Sequence, residues 1–212
     1  MDADILSSCR RCPRLVVHLA EIKENCPDYH AGPVPPFGDD NPGLLIVGLA
    51  PGMHGANRTG RPFTGDYAGI LLYQMLHRFG FANKPQSVSL GDGLRLKGCR
   101  ITNAVKCLPP QNKPETSEIK LCNSHLKHEV EAMGENSTIL ALGCVAHRAM
   151  LLALGLKPQD YPFAHAAVHA LPGGLTLYDS YHCSRYNTQT KRLSAEMFEA
   201  VFMQIRRQLD RR

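Results

Sequence analysis

The chain has 212 residues, of which 43% are hydrophobic, and it carries a formal net charge of +5 with a sequence pI of about 8.8. This length predicts a single domain over residues 1–212, in which residues 1–42 form an N-terminal segment ahead of the core. The sequence has no apolar run near the roughly 20 residues of a membrane span, and its first residues lack the features of a signal peptide. We therefore expect a cytoplasmic protein with no membrane partner, whose modest positive charge is compatible with a polyanion partner.

The N-terminal part of the chain contains a cysteine pair, a helix and the first strand. Cys9 and Cys12 form a Cys-x-x-Cys turn, which lets two thiolates bind one metal centre. Pro13 begins an amphipathic pattern that predicts a helix up to about residue 25. Residues 26–42 are rich in proline, glycine and aspartate and predict an ordered loop, and the apolar residues 44–48 predict a core strand.

A long glycine-rich loop follows that strand. Five glycines and two prolines lie between Gly48 and Gly65, and a helical pattern over about 66–79 comes next. Loops at the carboxyl ends of strands are where open α/β sheets bind ligands, and a loop this long is usually functional. The alternative is an ordinary glycine-rich connector. The loop has neither Gly-x-Gly-x-x-Gly nor Gly-Lys-Ser/Thr, so it indicates neither a dinucleotide site nor a P-loop.

The remaining elements predict an α/β fold with three layers. Alternation on both sides of the Gly-Asp-Gly sequence at 91–93 indicates a small hairpin over 87–96. Further strands are predicted at 99–103, 138–142 and 175–179, and further helices at about 115–133, 144–155 and 190–209. Strands that alternate with helices predict a central, mostly parallel four-stranded sheet with helices on both faces. Loops 48–65, 103–113 and 180–189 should therefore meet at one edge of the sheet.

Eight cysteines are many for a reducing compartment, where disulfides rarely persist, and they suggest a metal. Cys107 and Cys122, together with Cys9 and Cys12, make four candidate thiolates. The wide spacing of the later pair fits two zinc knuckles poorly, whereas four cysteines with one tight pair suit an iron–sulfur cluster at least as well. On spacing alone, an iron–sulfur cluster, zinc and no metal all remain open.

Several motifs, in this order along the chain, resemble those of the uracil-DNA glycosylase superfamily, specifically family 5, the B-type enzymes. They are Gly-Leu-Ala-Pro-Gly at 48–52, Arg-Pro-Phe-Thr-Gly-Asp at 61–66, Thr-Asn-Ala-Val-Lys-Cys at 102–107 and Ser-Tyr-His-Cys-Ser at 180–184. The resemblance covers nearly the whole chain. It implies a monofunctional glycosylase of base excision repair that flips a base out of DNA and hydrolyses its N-glycosidic bond.

The resemblance also implies the substrates, partners and cofactor. The expected base is uracil, with other deaminated bases such as hypoxanthine and xanthine as further candidates. The expected partner is double- or single-stranded DNA with a damaged base, bound by a monomer that is nucleoid-associated if the cell is prokaryotic. The implied cofactor is a structural [4Fe–4S] cluster held by Cys9, Cys12, Cys107 and Cys122. The other cysteines are then expected to be small buried hydrophobes.

Two catalytic residues follow from the same resemblance. Family 5 enzymes match Asp66 with a general base, and His182 matches the histidine that donates a hydrogen bond to a carbonyl oxygen of the leaving base. Removing such a donor typically costs about 10²–10³ in rate. Asp66 could instead serve only as the N-cap of the helix that begins there, and both roles could hold together.

The resemblance assigns the remaining contacts to substrate and DNA. Asn103 is expected to read the base edge, and Phe63 to stack on the flipped base, although core packing is the alternative for Phe63. Ala50 stands where most relatives outside family 5 have Asp, Glu or Asn. The other implied positions are Gly48 and His54 near the base or sugar, and Pro51, Gly52, Ser184 and Arg185 along the DNA backbone.

One position departs from the family pattern, because Cys183 stands where the last motif has proline between histidine and serine. Cysteine frees the φ angle and restores an N–H, which puts the efficiency of base flipping in doubt more than the reaction class. Two rival readings remain. One is a non-catalytic iron–sulfur DNA-binding module of the same fold. The other is a zinc-stabilised α/β hydrolase acting on nucleotides, but no Gly-x-Ser-x-Gly elbow supports serine chemistry.

Overall fold

The computed structural model describes residues 3–211, which form an α/β structure around one sheet. The helices are α1 (Ala3–Ser7), α2 (Pro13–Asn25), α3 (Ala56–Thr59), α4 (Tyr67–Arg78), α5 (Thr116–Glu131), α6 (Cys144–Ala153), α7 (Arg185–Gln189) and α8 (Ala195–Leu209). The strands are β1 (Phe37–Gly38), β2 (Leu44–Gly48), β3 (Cys99–Asn103), β4 (Thr138–Leu142), β5 (Val168–Ala170) and β6 (Thr176–Ser180).

The strand order across the sheet is β1-β3-β2-β4-β6-β5. The four inner strands are parallel to one another, and they correspond to the four predicted from apolar runs. The prediction of a mostly parallel sheet is confirmed, but the count of four was too low. Both edges carry a short antiparallel strand, and segments of two and three residues are too short to show a strand period in sequence.

Helices cover both faces of the sheet. Successive side chains of β2 pack alternately against the helices of one face and of the other. Leu44 and Ile46 pack in one apolar cluster with side chains of α4 and α8. Leu45 and Val47 belong to the opposite cluster, which includes side chains of α5 and α6. Because successive strand residues face opposite sides, a strand buried on both faces reads as a continuous apolar run. The architecture is therefore three-layered, α/β/α.

The hairpin predicted over 87–96 is wrong. The described residues there contain only an isolated antiparallel bridge between Ala82 and Leu96. The Asp92 carboxylate instead accepts hydrogen bonds from the amides of Val88 (2.8 Å) and Leu94 (2.9 Å) and pairs with Arg61 at 2.9 Å. A side chain that binds nearby backbone amides competes with a cross-strand ladder, so this segment is a loop fixed by one carboxylate.

Several helices differ from the prediction in smaller ways. The sequence did not indicate α1 or α7, and α8 begins at Ala195 rather than near residue 190. Pro13 occupies the first position of α2, as predicted. None of the helices within residues 3–211 combines the length and the apolar character that crossing a bilayer requires.

Candidate functional site

The glycine-rich loop lies at the carboxyl end of β2, directly beside the end of β3. Gly48 pairs with Asn103 in the parallel register. A Cβ on Gly48 would clash with the Asn103 side-chain oxygen and lie 2.6 Å from Cζ of Phe63. Glycine is therefore required at position 48, because a larger residue would push both side chains away from the strand end.

Phe63 and His182 form the aromatic part of the site. Phe63 is 7% exposed and has a φ of +53°, a left-handed conformation that is unusual for a bulky residue. Its ring stacks against the imidazole of His182, with centroids 5.8 Å apart and planes 25° apart. Phe63 belongs to the core cluster, as the alternative interpretation predicted, and it also lines a cavity.

Asp66 is the N-cap of α4, and its carboxylate accepts a hydrogen bond from the Gly69 amide at 2.9 Å. Gly55 lies against the same carboxylate so closely that a Cβ there would be 2.7 Å from Cβ of Asp66. Burial raises the pKa of Asp66, whereas hydrogen bonds from the amides of Gly69 and Ala68 oppose that rise. The capping role predicted as an alternative is thus present in the structure.

His182 lies in the loop between β6 and α7. Burial lowers the pKa of His182 to about 4, so its imidazole is neutral at physiological pH and carries one N–H donor. Its carbonyl oxygen accepts a hydrogen bond from the Asn187 side chain at 2.8 Å. The next residue, Cys183, is fully buried, and its thiol contacts the Ala68 carbonyl oxygen at 3.4 Å. This contact joins the loop to the first turn of α4.

Seven of the predicted base- and DNA-contacting residues line one cavity of about 460 Å³. They are Ala50, Gly52, Phe63, Asp66, Asn103, His182 and Ser184. The Asn103 side-chain oxygen is buried and has no hydrogen-bond partner within the described residues. A buried polar atom without a partner is costly, so its presence in a cavity wall suggests that a ligand satisfies it.

Four other predicted positions do not line this cavity. Gly48 lies behind Asn103 and Phe63, and Pro51 is buried. His54 is exposed, and its Nδ1 is 2.7 Å from the hydroxyl of Tyr29. Arg185 is exposed next to the cavity residue Ser184, with its guanidinium 5.1 Å from the centroid of the Tyr67 ring.

Sequence reasoning missed part of the wall. Asn112 and the segment 143–145 at the start of α6 also line the cavity. A glycine directly after the buried strand β4 was a signal for the second of these, because the other cavity loops also begin at strand ends. We find no comparable signal for Asn112, which lies in an exposed proline-rich turn.

The four cysteines singled out from the sequence line a second cavity of about 250 Å³. All four are free thiols, and Cys122 accepts a hydrogen bond from the Lys106 amide at 3.3 Å. Burial raises the pKa of Cys107 to about 12, and the neighbouring thiols add to that rise. Among the remaining cysteines, Cys99 and Cys183 are buried as expected, whereas Cys26 and Cys144 are half-buried.

Comparison with known proteins agrees with this geometry. A family model described as the uracil DNA glycosylase superfamily matches residues 35–206. The type-5 uracil-DNA glycosylase of Thermus thermophilus is 47% identical over 207 residues, which cover 95% of this chain and 94% of that protein. The type-5 uracil-DNA glycosylase of Pyrobaculum aerophilum is 42% identical over 200 residues, covering 92% and 87%.

A solved structure extends the comparison to the fold. The crystal structure of wild-type Pedobacter heparinus SMUG2 superposes with a TM-score of 0.51 at 14% identity, covering 81% of this chain and 77% of that one. Similarity at this level of identity concerns the fold alone. The family match and the nearly full-length type-5 relatives lead to one conclusion, that this chain belongs to the uracil DNA glycosylase superfamily and is similar to its type-5 members.

Proposed function

We propose that this chain is a DNA glycosylase of base excision repair that removes uracil by hydrolysing its N-glycosidic bond, and that the 460 Å³ cavity receives the flipped base. The observation that carries the proposal is the convergence of Asp66, Asn103 and His182 on this one cavity. Asn103 ends β3, His182 follows β6, and Asp66 ends the long loop after β2, and these three strands run parallel in the sheet. The relatives supply the reaction class, since they are uracil-DNA glycosylases and the sequence match covers nearly their whole length.

The two catalytic groups would act on opposite partial charges. As the bond to the base breaks, positive charge develops on the sugar and negative charge on the base oxygens. The Asp66 carboxylate stabilises the sugar cation and accepts a proton from the attacking water. The neutral His182 imidazole donates its N–H to a carbonyl oxygen of the departing uracil anion, and a lowered pKa keeps that donor uncharged.

Asn103 and Phe63 would recognise the base. The unpartnered Asn103 side-chain oxygen can accept a hydrogen bond from a base N–H, and the amide nitrogen can donate to a base carbonyl. Phe63 presents a ring for stacking, a contact worth about 1–3 kcal/mol per base. The Ala50 side chain carries no polar atom, which supports acceptance of further deaminated bases such as hypoxanthine and xanthine.

The rim of the cavity would hold the DNA backbone. Ser184 caps α7 with its side chain, and Arg185 extends from the same turn into solvent. Together with the backbone amide of Gly52, these groups suit phosphate contacts, which position DNA without reading its sequence. Pro51 is buried and has no N–H to donate, so it would shape the loop rather than bind a phosphate. His54 is exposed outside the cavity, with its Nδ1 2.7 Å from the Tyr29 hydroxyl, so we assign it no contact with the base.

A [4Fe–4S] cluster bound by Cys9, Cys12, Cys107 and Cys122 would occupy the second cavity. The fit is supported by the chemistry of the donors: four free thiols share one cavity, and a backbone amide donates to the sulfur of Cys122. When bound, such a cluster supplies cross-linking by thiolate–iron bonds. The four cysteines would tie the segment before α2 to the β3–α5 connection, through Cys107, and to α5, through Cys122. We also propose that residues 1–212 form one domain and that the protein acts as a monomer.

One assay tests the reaction. The purified chain is incubated with a uracil-containing oligonucleotide and treated with alkali, alongside Asp66→Ala and His182→Ala. Strand cleavage by the wild type alone is expected. If the wild type cleaves no oligonucleotide with any deaminated base while its fold and colour are intact, the non-catalytic DNA-binding alternative replaces this proposal. A colourless, iron-free protein that hydrolyses nucleotides would favour the zinc hydrolase.

A further inference from the structure

A second cluster of metal-binding side chains lies outside both cavities. His147 on α6, His169 on β5 and Asp179 on β6 bring their ligand atoms within 4.8 Å of one another. The His147 and Asp179 side chains are 1% and 0% exposed. His147 Nδ1 is 2.8 Å from Asp179 Oδ1, and His169 Nε2 is 3.2 Å from Asp179 Oδ2.

The hydrogen bond made by the other ring nitrogen of His147 determines which nitrogen carries the proton. His147 Nε2 is 2.8 Å from the Tyr161 carbonyl oxygen, which can only accept a hydrogen bond. Nε2 therefore carries the ring proton, and in a neutral imidazole Nδ1 is then a bare acceptor. It faces the Asp179 carboxyl group, whose oxygens are acceptors only unless one of them carries a proton. Two acceptors this close in a buried site require a cation between them, either a proton or a metal ion.

The surrounding chemistry favours a metal ion. Histidines that bind metals almost always donate the other ring N–H to a carbonyl or carboxylate, as His147 does to Tyr161. Two imidazoles and one carboxylate form a ligand set that zinc and other divalent first-row ions accept. The alternative is a proton shared by His147 and Asp179, with an N–H of His169 donating an ordinary hydrogen bond to the other oxygen of the same carboxylate.

The space also suits a small ion. Bonds of about 2 Å to nitrogen and oxygen in a tetrahedral centre place ligands roughly 3.3 Å apart. The 2.8 and 3.2 Å separations here join the two histidine nitrogens to different oxygens of Asp179, and the ligand atoms all lie within 4.8 Å of one another, so a small side-chain shift would bring them around an ion. The rings of Phe163 and Tyr161 pack edge-on against the two histidines. The His169 side chain is 12% exposed, which gives an ion and one coordinated water an entry side.

We propose that His147, His169 and Asp179 form a structural site for one divalent transition ion of the zinc class. The ion would join β5, β6 and α6 directly beneath the loop that carries His182. Its ligands are separate from the four cysteines, so the proposal does not depend on the cluster or on the proposed reaction.

The test uses zinc as the probe. The full-length protein is equilibrated with zinc and passed through a desalting column, and zinc and iron are then counted separately. We expect about one zinc per wild-type chain and at least a tenfold loss of zinc affinity in His169→Ala. The matched control is His165→Ala, which removes a partly buried histidine that stacks on Tyr181 and should retain zinc.

Two outcomes would overturn the site. The first is equal zinc in the wild type and His169→Ala, in which case a proton bridges His147 and Asp179. The second comes from X-ray absorption at the zinc edge of the wild type, which remains informative even if a variant does not fold. Nitrogen and oxygen ligands with imidazole scattering are expected, whereas sulfur ligands would place the zinc on the cysteines.

Discussion

The ring of Phe63 stacks on the imidazole of His182 at a centroid separation of 5.8 Å. Two stacking contacts of optimal length need about 7 Å between the outer rings, so a base does not fit between these two as they stand. A base that stacks on Phe63 must enter beside His182 or displace it. If the base displaces it, the imidazole changes from packing against a ring to facing a carbonyl oxygen of the base.

Shortening Phe63 should weaken base binding. In Phe63→Leu, loss of stacking worth about 1–3 kcal/mol predicts a roughly 5- to 150-fold drop in kcat/KM on uracil-containing DNA. The control is Phe79→Leu, whose ring stacks on Phe202 in the core rather than lining the cavity. If both variants lose activity equally, Phe63 acts through packing and not through the base.

Asp66→Asn separates the charge of Asp66 from its capping role. Asparagine is also a good N-cap, so α4 should persist while the rate falls by two orders of magnitude or more. Asp66→Ala should lose the cap as well, at about 1 kcal/mol of stability. Single-turnover kinetics and thermal melts measure the two effects. A near-normal rate in Asp66→Asn would assign the residue to capping alone.

The raised pKa of Asp66 has a consequence for stability. A carboxyl whose pKa is raised on folding stabilises the fold only while it is protonated, and this contribution is lost as the pH rises through the folded-state pKa. Near pH 7 the ionised side chain therefore costs stability. We expect Asp66→Asn to melt at or above the wild-type temperature at pH 7, with the gap closing as the pH falls towards 4.

The lowered pKa of His182 predicts the opposite trend. A histidine held neutral in the fold stabilises it above the usual pKa of about 6.5, and this is lost as the pH falls towards 4. Between pH 7 and 5 the wild type should therefore lose more unfolding free energy than His182→Ala. At pH 7, His182→Ala should cost about 10²–10³ in rate. Urea titrations and glycosylase rates measure these two quantities.

Removing one cysteine of the second cavity should affect the fold before the chemistry. Cys9→Ala is expected to lose iron, brown colour and melting temperature together. Cys26→Ala is the control, because Cys26 is half-buried at the end of α2 and does not line that cavity. A Cys9→Ala protein with unchanged absorbance and melting temperature would contradict the proposed ligand set.

Restoring the family proline tests the loop that follows His182. Cys183→Pro fixes φ and removes one N–H, and we expect activity to rise or stay level. The variant also removes the thiol contact with the Ala68 carbonyl oxygen. Cys183→Ala removes that contact without fixing φ and serves as the control. A large loss in Cys183→Pro alone would show that the loop needs the backbone freedom of cysteine.

The sequence predicted the inner sheet well because its strands are buried on both faces. Runs such as residues 44–48 are apolar throughout, and parallel pairing then brings the loops at their carboxyl ends together. The loop conformations could not be predicted, because they depend on contacts of single side chains with residues elsewhere in the chain. The Asp92 carboxylate binds backbone amides that precede and follow it in sequence, and the segment is a loop instead of the predicted hairpin. The residues next to Phe63 contain no pattern that predicts its left-handed backbone conformation.

The two edge strands bear on how the folded molecules behave together. An unpaired strand edge is a template on which another polypeptide can extend a sheet, and long flat edges promote fibrillar association. Here the outermost strands are only two and three residues long and run against their neighbours. They offer few free backbone groups, so a concentrated solution of this protein should resist sheet-to-sheet polymerisation.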